Sequence, residues 1–450
     1  MKSRGRRFPW QTFRVEHLVP ALEVRRARSR AGTAPRRRSA GHPEAFSVLD
    51  LGTTHLKALV CRRSGPVVEV LGQCVMPYGV LEQAPGSMAE LCDHALTQAE
   101  DNSAVLDGRR LVPDEVVIGV PASTVVARSY EVAYRRRDPS QPLDDAELER
   151  ILYIGQRTAL EELRRGGLPF SDAVILASGT QVRVAVDGHP ADDPRGLRGE
   201  MITLSLLNIA TSNALLRALC RLADALQLAV SGFMVPAQAV VNALGPALSL
   251  DGVGIDIGGR RTVLVAWRQG MVQGWTSIPF GGQDFTQAIQ RAYHLDGERA
   301  ERLKCWYGEG RLSPDHREGV REVLRSPWEH WKDRLIEGLL DLPANGSLPG
   351  YFWLWGGGAR LSGAVEAVRA ALSDARLSFE GYPQVRLAEP SALRNLRLAG
   401  EMDALACSGY AMAVAFARQG EEGRLAALLQ KATMAVCRAE HLDIWTLSDE

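Results

Sequence analysis

Two short segments of the sequence combine a strand, an aspartate and a tight glycine turn. The first runs from Leu49 to Lys57 and reads Leu-Asp-Leu-Gly-Thr-Thr-His-Leu-Lys; the second runs from Ile255 to Thr262 and reads Ile-Asp-Ile-Gly-Gly-Arg-Arg-Thr. A Gly/Thr turn can aim successive backbone N–H groups at a phosphate, and an Asp at a strand end can hold a hydrated Mg²⁺. By itself, the first segment is equally consistent with an ordinary hairpin that carries a surface Lys.

A third segment places three consecutive glycines, Gly356–Gly358, between a short aromatic strand and a helix. Glycines let the backbone approach a nucleotide closely, and a helix N-terminus beside them favours negative charge. A glycine run alone is more often just a loop. The order of the three segments is more informative, because it predicts two carboxylates, Asp50 and Asp256, that face each other across a cleft.

The elements that must position these residues alternate between strands and helices. The strand–Asp-x-Gly–strand pattern occurs twice, about 200 residues apart, which predicts two similar lobes with a cleft between them.

Apolar spacing predicts helices at Met88–Ala99, Asp144–Leu163, Thr211–Leu226, Ser362–Leu372 and Met402–Ala417, and a helical stretch from Thr286 to Asp341. It predicts strands at Phe46–Val60 (two, around the turn), Val67–Gln73, Val116–Val120, Ala173–Ser178, Gln181–Val186, Met201–Leu207, Val253–Ile257, Thr262–Trp267, Met271–Ile278 and Tyr351–Trp355.

Length and composition narrow the class of protein. The chain has 450 residues, 46% of them hydrophobic and 24% charged, as in a soluble protein of about two to four domains. No apolar run approaches the ~18 residues that a transmembrane helix needs. Seven scattered cysteines and nine histidines, without metal-ligand spacing, favour a reducing cytoplasm and argue against a zinc site. The sequence also lacks the P-loop, hydrolase-elbow and zincin motifs.

The net charge of zero hides a basic N-terminal arm. Residues 1–45 contain twelve basic and three acidic side chains, have no workable hydrophobic period and are predicted to be disordered. A basic arm on an acidic body suggests an anionic surface as partner, to which Phe8, Trp10 and Phe13 add apolar contacts. An unselected, solvated arm is the alternative. No nucleic-acid partner is expected, since no aromatic-interleaved sheet motif follows the arm.

The order of the three segments resembles the actin/Hsp70/sugar-kinase superfamily, with phosphate loops at 50–57 and 256–262 and an adenosine loop at 356–363. Four further stretches resemble its bacterial cell-division branch, the FtsA family: Val186–Gly199, Pro236–Ala239, Ile278–Gly282 and Ala300–Gly308. The resemblance covers roughly residues 46–418.

This resemblance implies an α/β fold with two actin-like lobes, of the duplicated ribonuclease H-like type, and an inserted α+β domain in the first lobe. The implied domains are a basic disordered arm (1–45), the first lobe (46–121, 207–235 and 388–420), the inserted domain (122–206), the second lobe (236–282 and 345–387), a subdomain of the second lobe (283–344) and a C-terminal tail (421–450).

The resemblance also implies ATP and Mg²⁺ as cofactors and assigns the residues that bind them. Asp50 and Asp256 would bind the metal. The phosphates would be held from one lobe by Asp50, Gly52, Thr53, Thr54 and Lys57 and from the other by Asp256, Gly258, Gly259 and Thr262. The nucleoside would be held by Gly356, Gly357 and Gly358 together with Glu301 and Lys304. No catalytic residue is assigned.

Two departures from the family pattern matter. The second phosphate loop usually reads D-I-G-G-G-T-T-D, whereas Arg260, Arg261 and Val263 replace its third Gly, a Thr and the final Asp. At most slow ATP hydrolysis is therefore expected. The family's C-terminal membrane-binding helix is basic, whereas this chain ends in an acidic segment. Apolar spacing over 423–437 predicts a packed or partner-docking helix there rather than a membrane anchor.

The function implied by the resemblance is that of an ATP-binding adaptor that polymerises and links filaments of the tubulin-like protein FtsZ to the membrane. The expected partners are FtsZ or another division or pilus protein, further copies of the chain, and an anionic membrane surface. The alternatives are a PilM-like adaptor of type IV pilus assembly and a small-molecule kinase of the superfamily, although no acceptor pocket is evident. The expected location is the cytoplasm, peripheral to the inner face of the membrane.

Overall fold

The computed structural model describes residues 44–65, 67–77, 88–244, 251–342, 347–419 and 423–445. Nearly all of the predicted basic arm lies outside these residues. In chain order the strands are β1 (Ala45–Leu51), β2 (His55–Ser64), β3 (Val67–Pro77), β4 (Glu115–Gly119), β5 (Val125–Arg135), β6 (Ala173–Leu176), β7 (Gln181–Val186), β8 (His189–Ala191), β9 (Met201–Ser212), β10 (Ala229–Met234), β11 (Gly252–Ile257), β12 (Thr262–Arg268), β13 (Met271–Ile278), β14 (Leu348–Trp355), β15 (Phe379–Leu387), β16 (Leu396–Leu398) and β17 (Asp443–Trp445). The helices are α1 (Met88–Asp107), α2 (Asp145–Arg165), α3 (Asn213–Ala225), α4 (Pro236–Leu244), α5 (Gly282–Tyr293), α6 (Gly297–Gly308), α7 (Pro314–Asp341), α8 (Ala364–Ala371), α9 (Cys407–Gln419) and α10 (Arg424–Ala439).

The first sheet has the strand order β10-β4-β1-β2-β3-β16. Strands β1, β2 and β3 form an antiparallel meander, while β4 pairs with β1 in parallel. Helices α1 and α9 pack against this sheet. Val48 and Leu49 are fully buried in β1, as expected for a strand covered on both faces. The meander brings the turn after β1 to one end of the sheet.

The second sheet repeats this plan, with the order β13-β12-β11-β14-β15. Strands β11, β12 and β13 form another antiparallel meander, and β14 lies parallel to β11. Successive residues of a strand face opposite sides of this sheet. On one side, Val265 and Trp267 pack in the same hydrophobic core as the first sheet. On the other side, Ile255 and Leu264 pack in a second core with residues of α5, α7 and α8. The shared core fixes the two sheets against each other.

A third sheet lies between β4 and β10 along the chain. Its long central strand, β9, pairs with β5 over the whole length of β5 and with β6 and β7 on its other side. The chain leaves the first sheet after β4 and returns at β10, which pairs with β4. The predicted α/β architecture, with two similar lobes and an inserted α+β unit, is therefore confirmed.

Helix α10 and strand β17, the last elements that the structure describes, pack on this third sheet. Helix α10 buries Leu428, Leu429 and Val436, and Lys431 on its outer side pairs with Glu149 of α2 at 2.9 Å. The prediction of a packed helix is confirmed. Within the described residues, no helix is both long and apolar enough to cross a membrane.

Several elements differ from their predicted extent. The predicted helix at 88–99 continues to Asp107, and the predicted strand at 173–178 ends at Leu176, because the chain turns into a short 3₁₀ helix at Ala177–Gly179. Strand β15 was not predicted because it is an exposed edge strand that contains Gly381 and Pro383 and lacks alternation. The domain boundaries given above stay a prediction.

Candidate functional site

Asp50, which is buried, and Lys57, which is partly buried, form an ion pair beside the turn between β1 and β2. The antiparallel register places them directly opposite each other, and Lys57 Nζ lies 2.7 Å from Asp50 Oδ2. Ser408, buried at the start of α9, donates to Asp50 Oδ2 at 2.5 Å and accepts from Lys57 Nζ at 2.9 Å. Sequence reasoning missed Ser408, which is more than 350 residues from both partners. A serine at a helix start gives no local signal of such a role.

The Lys57 ammonium is bonded to Asp50 and lies close enough to Asp256, in the other lobe, to be attracted to it. Burial alone would lower its pKa, but attraction to Asp50 and the hydrogen bond to that carboxylate more than offset burial, and Asp256 adds to the attraction. The pKa of Lys57 is therefore raised above its ordinary value. The side chain stays charged and keeps a positive charge where the predicted phosphate site lies.

The first loop, Gly52–Thr54, touches the second loop directly. A Cβ on Gly52 would lie 2.7 Å from the carbonyl oxygen of His55, so the turn requires glycine. Across the cleft, a Cβ on Gly259 would lie 2.3 Å from Thr54 Cγ2 and 2.7 Å from Thr53 Oγ1. The absence of a side chain at Gly259 thus allows the two loops to meet.

Asp256 stands at the end of β11, partly buried, and Val253–Asp256 pair with Phe352–Trp355 of β14. Burial raises the pKa of Asp256 to about 6, with repulsion from Asp50 in the same direction and attraction to Lys57 opposing both. An aspartate with this pKa is costly to ionise in the folded protein. A bound cation would remove that cost.

The N-terminus of α5 closes the second loop. The backbone N–H groups of Gly282 and Gln283 donate to the carbonyl oxygens of Gly258 and Gly259 at 2.9 and 2.7 Å. The Gly258 N–H donates to the carbonyl of Arg261 at 2.9 Å. The loop is therefore a rigid turn held from both sides.

The three residues after Gly259 differ in how far their side chains are exposed. Arg260 is exposed, and its Nε donates to Gln283 Oε1 at 3.0 Å; the half-buried Arg261 donates to Ser277 Oγ at 3.2 Å. Thr262 is fully buried. Its hydroxyl donates to the Phe280 carbonyl at 2.9 Å and accepts from the Trp331 indole at 2.9 Å. In this arrangement the only hydroxyl proton of Thr262 is already used, so the residue lies in the wall rather than in the cleft.

The glycine triplet packs directly on the second loop. Gly356 has φ +85°, and a Cβ there would lie 2.4 Å from Asp256 Oδ1 and 2.7 Å from the Ile257 carbonyl oxygen. A Cβ on Gly358 would lie 2.3 Å from Ile257 Cγ2, whereas one on Gly357 would make only an ordinary contact, 3.6 Å from Leu405. Two of the three glycines thus serve the close approach of this loop to β11.

Glu301 and Lys304, on successive turns of α6, join the base of the second loop. Lys304 Nζ donates to the Gly282 carbonyl at 3.0 Å, to Thr286 Oγ1 at 2.8 Å and to Glu301 Oε2 at 2.7 Å. Burial would raise the pKa of Glu301, but Lys304 and a hydrogen bond from Thr286 outweigh burial and lower it. Burial lowers the pKa of His55, and the Glu301 carboxylate opposes this shift from the other lobe.

The structure thus brings together residues from all three predicted segments. Lys57 forms an ion pair with Asp50 and lies near Asp256. Gly259 contacts the first loop, and Gly356 contacts Asp256. Glu301 and Lys304 lie at the edge of the same region, and Thr262 lies behind it. Across the described residues, no group of three or more His, Cys, Asp or Glu side chains could hold a metal ion. The roles assigned to these residues in ligand binding stay a prediction.

Comparisons with known proteins agree with this arrangement. The solved PilM-PilN type IV pilus biogenesis complex aligns with a TM-score of 0.55 at 18% identity, over 83% of this chain and 98% of that chain. Together with the duplicated lobes, this alignment defines the class as an actin-like fold.

The family model described as "Cell division protein FtsA" matches residues 253–415. The cell division protein FtsA of Bacillus subtilis (strain 168) is 21% identical over 370 residues, which cover 76% of this chain and 80% of the relative. The chain thus has an actin-like fold, and it is similar to the cell division protein FtsA, most clearly over residues 253–415.

Proposed function

We propose that the cleft between the two lobes binds Mg·ATP. The observation that carries this proposal is the convergence of three loops on one charged centre, in which Lys57 pairs with Asp50 and is attracted to Asp256. Two carboxylates and several waters are a donor set that suits Mg²⁺. The closely approaching glycine loops suit a ligand that is held through backbone N–H groups.

In this proposal each part of the site has one task. Asp50 and Asp256 hold the hydrated metal, which would neutralise phosphate charge. Lys57, Gly52, Thr53 and Thr54 hold the phosphates from the first lobe, with Gly258 and Gly259 opposite them. Gly356, Gly357 and Gly358, with Glu301 and Lys304, hold the nucleoside. Thr262 supports the wall instead of contacting the ligand, because its hydroxyl is already bonded.

Slow hydrolysis at most is part of the proposal. Arg260 and Arg261 replace residues with small side chains in the usual loop, and Val263 replaces the carboxylate that usually follows. Val263 is buried in the core, so it offers no polar atom to orient a water. ATP would then serve mainly to fix the relation between the lobes, as a structural ligand.

We further propose that the protein acts in cell division, where it polymerises and links FtsZ filaments to the membrane. The support is the FtsA-type match over residues 253–415 and the Bacillus subtilis relative. Membrane attraction would come from residues 1–45, where each basic residue near an anionic surface contributes about 1 kcal/mol. Helix α10 is a poor membrane anchor because its apolar face is buried inside the protein.

A pilus-assembly adaptor is the second candidate, favoured by the alignment with the PilM-PilN complex. Binding of a fluorescent FtsZ tail peptide, measured by anisotropy with Mg·ATP present, distinguishes the two. Saturable binding, lost with a scrambled peptide of the same composition, is expected for the division role. Absence of binding would contradict that role, and saturable binding of a pilus membrane-protein tail instead would support the second candidate.

A further inference from the structure

Trp355 is the last residue of β14 and directly precedes the glycine triplet. The parallel register pairs Trp355 with Asp256 near the end of β11. Residues paired in this way project to the same face of a sheet, so the indole and the carboxylate are neighbours. The residue is only 3% exposed and packs in the core that the second sheet shares with the first. It therefore lies inside the protein, beside one of the proposed metal ligands.

Gly254, two residues before Asp256 on β11, makes room for the tryptophan ring. A Cβ on Gly254 would lie 2.2 Å from Trp355 Cη2 and 2.6 Å from Cζ3. The six-membered ring thus occupies the space that a side chain at position 254 would need. Because the ring is confined by this backbone and by the shared core, its N–H group cannot turn to a different partner.

The indole N–H of Trp355 is buried without a hydrogen bond. Within the described residues Trp355 Nε1 has no partner, although the N–H of a buried tryptophan usually finds one. Burial raises the pKa of Asp256 and the indole opposes that rise, so the two groups lie close together although they are not aligned for a hydrogen bond. A buried donor of this kind destabilises the folded state unless an acceptor reaches it.

The two proposed metal ligands differ in how the protein holds them. Asp50 is fixed by hydrogen bonds from Lys57 and Ser408. Over the part of the chain that the structure describes, no hydrogen bond of this kind reaches the Asp256 carboxylate, and Trp355 Nε1 is an unused donor beside it. A carboxylate that binds a metal normally accepts a further hydrogen bond, which fixes its orientation. A rotation of the Asp256 carboxylate would allow the indole to supply that bond.

We propose that Trp355 is a positioning residue that orients Asp256 for the metal of the cleft, an inference that rests on the proposed Mg·ATP site. In the complex with Mg·ATP, one oxygen of the Asp256 carboxylate faces the hydrated metal. The other oxygen accepts the indole N–H, which thereby gains the partner that it lacks. Trp355 contacts neither the metal nor the nucleotide and acts through Asp256.

Calorimetric titration of the full chain with Mg·ATP measures this role. Trp355→Phe keeps an aromatic ring in the core and removes the donor, so it should bind Mg·ATP about 10- to 100-fold more weakly than the wild-type chain. Trp353→Phe is the matched control, because Trp353 lies on the same face of β14 but pairs with Gly254 instead of Asp256. Its affinity should stay within about twofold of wild type, since it has no metal ligand to orient. Cooperative thermal unfolding shows that each variant is folded.

The same exchange in an Asp256→Ala background distinguishes positioning from direct contact. Trp355→Phe should change the affinity of this background by less than about twofold, because the carboxylate that the indole orients is already absent. A loss as large as in the wild-type background would mean that the indole contacts the nucleotide or supports the wall of the cleft. That result would overturn the inference.

An NMR readout does not depend on the affinity of any variant. In protein labelled on the tryptophan indole nitrogens, the signal of Trp355 is the one that Trp355→Phe lacks. Its proton should move to lower field when the wild-type chain is saturated with the magnesium complex of AMPPNP, because the N–H then donates a hydrogen bond. A signal that does not move, or unchanged affinity of a folded Trp355→Phe variant, would overturn the inference and leave the proposed nucleotide site intact. Absence of Mg·ATP binding by the wild-type chain would instead refute the proposed function, and this inference with it.

Discussion

Replacing Asp256 by Asn should stabilise the nucleotide-free protein at neutral pH while removing a proposed metal ligand. Burial raises the pKa of Asp256 from its ordinary value of 3.8 to about 6. Because the folded state holds this proton more tightly than the unfolded chain does, the stability that the protonated carboxyl provides is complete below about pH 4. It is lost as the pH rises through about 6.

The shift sets the expected magnitude. About two pH units at about 1.4 kcal/mol each give roughly 3 kcal/mol as the cost of ionising Asp256 in the folded state. An asparagine of the same shape avoids that cost. The free energy of unfolding of Asp256→Asn should therefore exceed that of wild type by about 3 kcal/mol at pH 7.5, and the difference should largely vanish near pH 4. Such an exchange of stability for function is common at binding sites.

Urea denaturation followed by circular dichroism, without nucleotide and at several pH values, measures this difference. Asp251→Asn is a matched control, because Asp251 lies just before the same strand and pairs with Arg268 at 3.2 Å. As a partly exposed pair its loss should cost no more than about 1 kcal/mol. An Asp256→Asn protein that is less stable than wild type at pH 7.5, or a difference that does not change with pH, would refute the reasoning.

Three further predictions test the parts of the site one at a time. Gly259→Ala should weaken ATP binding about 5- to 150-fold, since its Cβ forces the loops apart at a cost of about 1–3 kcal/mol; Gly232→Ala, outside the site and with only an ordinary contact 3.6 Å from Phe416, should change binding little in the same calorimetric titration. Thr262→Val should lower the free energy of unfolding by about 2–4 kcal/mol, because two buried hydrogen-bond partners lose their bonds, and should leave ATP affinity within about twofold; a large affinity loss in a folded variant would contradict its place in the wall. The pair Arg260→Gly and Arg261→Thr restores the usual small residues at two of the three departing positions and should raise phosphate release in a steady-state assay; rapid wild-type hydrolysis that this pair does not alter would show that the loop argument is wrong.

Local patterns in the sequence predicted much of the fold and the main loops. The Asp-x-Gly turns at 50–52 and 256–258 are confirmed as the ends of β1 and β11, because a buried strand followed by a glycine turn is encoded by adjacent residues. Their convergence in space followed from the repetition of the pattern, since duplicated lobes place equivalent loops face to face.

Contacts between distant residues could not be predicted in this way. Ser408 reaches Asp50 only because α9 packs on β1. The hydroxyl of Thr262 is used by Phe280 and Trp331, and sequence spacing does not show which of several threonines will be turned inward. Strand β17 is three residues long and forms only because the edge of β6 is open to it.

Isothermal titration of the purified chain with Mg·ATP tests the central claim most directly. We predict saturable binding at one site for the wild-type chain. Asp50→Asn, which keeps the shape of the side chain but removes the charge shared by Lys57 and the proposed metal, should lose at least tenfold in affinity while it stays folded. Absence of binding by the wild-type chain, or equal affinity of a folded Asp50→Asn variant, would contradict the assignment of the cleft as a nucleotide site.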